Sequence, residues 1–244
     1  MYAMQISLIS ADTIKHYPSL NPAGLSLRTP TRGPEHGLVY EYIKCKLPPA
    51  PADHFRTIFI EPRLDAGFPD IVVVYWHGPT ADRWMESRAK LTKLDIRLLH
   101  YLFIGGSSDF EHLNTFFTKG VASSFKRLYN AGLIKWVSGN WQTQPVHEIF
   151  SVRRLIAIEA KVNEWKHGLQ QALRNTWFAS ESYLLISQMP NSPKLLEEAA
   201  RCGVGVVSCH QFLDNPELSA RHEQLPKSYA SWLFNEWAWR SKCV

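Results

Sequence analysis

Two charged residues close an otherwise apolar run at RLIAIEAK (154–161). Strand alternation places Leu155, Ala157, Glu159 and Lys161 on one face, and Ile156, Ile158 and Ala160 on the other. A carboxylate and an ammonium side by side on a buried strand are costly unless something compensates them. The carboxylate can hold a hard cation, and the ammonium can sit beside a water or a phosphate. By itself the triplet is weak, because D/E-x-K arises by chance roughly once or twice in a chain this long.

Its surroundings add weight. In EPRLDAGFPDIVVVYW (61–76), Glu61 precedes a turn at Gly67, and Pro69-Asp70 opens a strand. IVVVY shows no alternation, which marks that strand as buried on both faces. NEWKHGLQQALRN (163–175) reads as a helix beginning directly after the charged pair, carrying Gln170 and Gln171.

This ordered set resembles the PD-(D/E)XK nuclease superfamily over about residues 55–190. The resemblance implies that Asp70 and Glu159 coordinate a divalent cation, Mg²⁺ or Mn²⁺, together with the carbonyl of Ala160. Lys161 would orient or activate the attacking water. Glu61 would assist the metal shell or a second ion, and Gln171, or else Gln170, would touch the metal shell or the substrate backbone. One departure stands out: close to ninety residues separate Asp70 from Glu159, where the family has a short connection.

The intervening segment has its own character. LDIRLLHYLF (94–103) has helical spacing, a second short helix follows Ser108-Asp109, and a third runs from about Thr118 to Asn130. LIKWVSGNWQTQP then reads as two short strands around Ser138-Gly139-Asn140. Three helices and a hairpin in this order resemble a winged helix-turn-helix. On that reading the third helix offers Lys119, Ser123, Ser124, Lys126, Arg127 and Asn130 to nucleic acid, residue types that contact phosphates and base edges. A small helical insertion with a solvated polar face is the plainer alternative.

The elements that must position these residues give an α/β fold: a mixed central β-sheet flanked by helices, restriction-endonuclease-like, with an inserted winged-helix-like subdomain. The expected division is a proline-rich arm over 1–53, a core over 54–87 and 147–244, and the insertion over 88–146. Seven prolines between 17 and 53 argue against long helices in the arm, leaving LVYEYIKCKL (38–47) as its best candidate element. SYASWLFNEWAWR, near the end, reads as a docked aromatic helix.

Bulk properties set the frame. A net charge of +5 over 244 residues permits a polyanion partner without requiring one. Cys45, Cys202, Cys209 and Cys243 form no C-x-x-C pair and lack zinc-finger spacing to histidine, so free thiols in a reducing cytosol are expected. No signal peptide or membrane span is read. Gly105-Gly106-Ser107-Ser108 lacks the lysine of a phosphate loop. The expectation is a cytoplasmic, metal-dependent endonuclease acting on nucleic acid, most simply double-stranded DNA, as a homodimer or with an activating protein. Its rival is a non-catalytic DNA-binding regulator.

Overall fold

A computed structural model of the chain describes residues 6–10, 13–17, 24–28, 33–65, 67–109, 111, 113, 115, 117 and 120–242. Its centre is a mixed five-strand sheet: β3 (His54–Ile60), β4 (Ile71–His77), β7 (Val152–Lys161), β8 (Glu181–Ile186) and β9 (Gly205–Ser208). β3, β4 and β7 pair antiparallel, whereas β7, β8 and β9 run parallel. A hairpin of β1 (Ile6–Ser10) and β2 (Thr13–Tyr17) extends the sheet beyond β3 to seven strands. The full burial of β8 is the state expected of a central strand covered on both faces.

One face carries α1 (Pro34–Cys45), which buries Val39, Tyr42 and Ile43 against Ile58, Val73, Ile156 and Ile158. The proline-rich stretch therefore does hold a long helix, against the sequence expectation. Pro34 stands in its first turn, where the missing N–H has no intrahelical partner to lose. On the opposite face lie α4 (Trp165–Asn175), α5 (Lys194–Cys202) and α6 (Tyr229–Lys242). α6 is docked as its aromatic content suggests, with Trp232, Phe234 and Trp237 buried beside Phe59, Val72 and Ala157.

Between β4 and β7 stand α2 (Lys93–Gly105), α3 (Val121–Asn130) and the hairpin of β5 (Ile134–Val137) and β6 (Asn140–Thr143). α2 starts with a capping box, Thr92 and Asp95 satisfying each other's backbone N–H. The β5–β6 turn, Ser138-Gly139, has positive φ at both residues (50° and 83°), as a type I′ turn requires. Among the described residues, this segment shares the main core. Leu98, Leu102, Phe125, Leu128 and Ile134 belong to the same apolar cluster as Val74, Leu155 and Trp232.

A buried polar clamp fixes both of its ends. Arg88, at the entry, forms an ion pair with Glu236 of α6 and donates to the Ile149 carbonyl at 3.0 Å, at the exit. Asn235 accepts the Ser151 N–H at 2.8 Å through its side-chain oxygen. No helix among the described residues is long and apolar enough to cross a membrane.

Candidate active site

Pairing of β4 with β7 sets Ile71 opposite Ile158, so the next pair outward along the ladder is Asp70 and Glu159. The sheet thus joins two residues that the sequence holds far apart. Asp70 is fixed twice by backbone. Its Oδ2 accepts the Ala160 N–H at 2.7 Å, and its carbonyl accepts the Glu61 N–H at 3.1 Å. Ala160 itself contributes through the backbone, because its side chain packs on the α1 face.

Glu159 is only 3% exposed. Its Oε1 accepts from the Asn175 amide at 2.7 Å, while Oε2 is buried with no partner among the described residues. Burial, and after it the Asp70 charge, push the Glu159 carboxyl far above its ordinary value. Burial also raises Asp70, with the Glu35 and Glu61 charges adding to it, against the Ala160 amide and Lys161. Two desolvated carboxyl groups thus meet, with one Glu159 oxygen lacking a hydrogen-bond partner by geometry among the described residues, an acceptor-rich arrangement that a proton or a cation could neutralise.

Lys161 is buried at the end of β7, and its Nζ pairs with Glu35 Oε2 at 3.3 Å. α4 passes so close to it that a Cβ on Gly168 would meet Lys161 Cγ and Leu184 Cδ1, each at 2.6 Å. Gly168→Ala must therefore displace the lysine stem or the helix. We expect at least a tenfold loss of any activity that uses Lys161, with a stability loss of about 1–3 kcal/mol. Cleavage assays beside thermal melts check this, and full activity in the variant would refute the contact.

Gln171 stands on the same helical face, three residues after Gly168 and four before Asn175. Its Oε1 is a second buried oxygen with no partner among the described residues. Gln170, the alternative, is exposed and lines a groove between α4 and α5. Glu61 stands near Asp70, whose carboxyl its charge helps to raise, and its Oε2 receives Arg28 Nε at 2.5 Å. Arg28, Glu35 and Asn175 are the members of the site that the sequence does not announce. Only Asn175 carries a local signal, its helical spacing from Gln171.

No group of three or more His, Cys, Asp or Glu residues is placed to hold a metal among the described residues. The donors at hand are two carboxylates and neutral oxygens, Gln171 Oε1 among them. Such a set fits a hard cation that keeps much of its water, and it does not fit zinc.

The residues expected to meet nucleic acid divide. Ser123, Lys126 and Asn130 are exposed on α3. Ser124 is not available, being 0% exposed under the helix. Arg127 is held in a two-pronged ion pair by Asp95, 2.7 Å at each nitrogen, so it braces α3 against α2. Lys119 lies outside the described residues. Tyr129 and Trp136, unexpected from sequence, are both more than half exposed beside Trp141. No protein-family model, curated protein or solved structure matches this chain.

Proposed function

We propose that this protein is a metal-dependent nuclease of the PD-(D/E)XK type, hydrolysing phosphodiester bonds, with double-stranded DNA as its simplest substrate. The observation that carries this reading is the buried Asp70–Glu159 contact with its unpartnered oxygen, next to a buried lysine. A mixed sheet flanked by helices is in keeping with a restriction-endonuclease-like core, and the segment between β4 and β7 with a winged-helix-like insertion.

Asp70 and Glu159 would hold Mg²⁺ or Mn²⁺ together with the Ala160 carbonyl. When bound, the ion acidifies a water and offsets charge growing at phosphorus. Asn175 fixes the Glu159 carboxylate by occupying Oε1, so that Oε2 is the oxygen presented. Gln171 offers a neutral oxygen from the adjoining turn. The Lys161 side chain runs close past Gly168, and its ammonium would stand beside the attacking water and the scissile phosphate. Ser123, Lys126 and Asn130 supply contacts to nucleic acid from α3. A non-catalytic regulator would account for that helix face, yet it gives no reason to bury two carboxylates together.

The test is cleavage of plasmid and linear DNA by purified protein with Mg²⁺, Mn²⁺ or EDTA, beside Asp70→Ala and Lys161→Ala. Metal-dependent cutting falls by at least about a thousandfold in both variants, the order expected when a group stabilising transition-state charge is removed. Binding of DNA without any cutting would turn the assignment toward the regulator or toward a nuclease that awaits its activating partner.

A further inference from the structure

We infer that Arg28 forms a phosphate-binding subsite at the edge of this cleft, taking a backbone phosphate of the nucleic acid. This rests on the nuclease reading for its ligand and on different residues for its evidence. Residues 26–28 run antiparallel to the chain just after β3: Arg28 N–H donates to the Glu61 carbonyl at 3.0 Å, and Arg63 N–H to Ser26 at 2.8 Å. This short ladder delivers the Arg28 side chain to Glu61, whose N–H is in turn bound to Asp70. The guanidinium also lies over the Phe68 ring, 5.4 Å from its centroid, two residues before Asp70.

The pair holds the arginine without burying it: the Arg28 side chain is 52% exposed, while that of Glu61 is 12% exposed. Yet Glu61 adopts φ 47°, a left-handed conformation unfavourable for a glutamate, at the place where it meets Arg28. Glu61 occupies only Nε. The two terminal nitrogens make no hydrogen bond among the described residues. An arginine gripped at Nε and stacked on a ring has lost much of its freedom, while its fork remains open. That fork matches two oxygens of one phosphate. Glu61 is then a positioning residue for Arg28.

The experiment measures binding of a fluorescent DNA duplex in EDTA across a salt series, for wild type, Arg28→Ala, Arg28→Gln and Arg28→Lys. Removing the charge weakens binding about tenfold or more and flattens the dependence of log K on log salt by about 0.9, one phosphate's share. Arg28→Lys restores the slope. Arg28→Gln keeps a donor for Glu61, so it separates lost charge from lost folding, and melting curves accompany each variant. A duplex with one neutral methylphosphonate at the contacted position weakens wild type and leaves Arg28→Gln unaffected. Unchanged affinity and slope in Arg28→Gln overturn the subsite while any cutting leaves the nuclease standing. Binding that depends on Arg28 without cutting keeps the subsite and turns the assignment toward the regulator or a nuclease awaiting its partner, and no binding by wild type overturns the subsite.

Discussion

Glu236→Ala lowers the stability of this protein by about 3–5 kcal/mol, the loss expected when one member of a buried ion pair is left alone. Arg88 and Glu236 have side chains 1% and 0% exposed, so water cannot rescue the abandoned guanidinium. Its remaining contacts, the Ile149 carbonyl and the Trp84 ring 3.4 Å away, do not neutralise it. Urea unfolding followed by tryptophan fluorescence and far-ultraviolet dichroism measures the loss. Arg88→Met combined with Glu236→Leu recovers most of it, because two apolar side chains need no partner. A single-variant loss below about 1 kcal/mol would show that the clamp is not buried as described.

Glu159→Gln has opposite effects on activity and on stability. Under the proposed function cutting is lost, because the amide supplies no negative charge to the cation. The metal-free protein becomes more stable by about 1–2 kcal/mol, since a group crowded by burial and by Asp70 no longer has to ionise. The pH dependence fixes the sign. A carboxyl whose folded-state pKa is raised favours the fold fully below its ordinary value and loses that contribution as pH rises through the folded value. The advantage of the glutamine variant is therefore absent in acid and grows from the ordinary carboxylate range through neutrality. Under the proposed function, Mg²⁺ is expected to raise the melting temperature of wild type and to leave the variant where it was. Equal melting of the two metal-free proteins at neutral pH would contradict the crowding of Glu159 by Asp70.

Local patterns made part of this legible in the sequence. Alternation in RLIAIEAK assigns each side chain of β7 to the face it occupies, and Ser138-Gly139 marks the one turn that its hairpin accepts. α1 covers most of the segment that reads as the stretch's best candidate element, and its length exceeds expectation because its prolines stand at and before its start, where they do not break a helix. The Arg28–Glu61 and Lys161–Glu35 pairs join residues 33 and 126 positions apart, and no periodicity encodes such meetings. Ser124 and Arg127 were misplaced for a related reason. A helical wheel shows which residues are polar, whereas burial depends on the neighbour, and α2 brought Asp95 against that side of α3.

The adjacency of Asp70 and Glu159 also bears on safety. A loop of ninety residues costs about 2 kcal/mol more to close than one ten times shorter. Neither acid meets the other until β4 and β7 have zipped together. Under the proposed function, a nascent, damaged or partly degraded copy thus carries both carboxylates and no cutting centre. The cell that makes this protein meets a working blade only when the fold is finished.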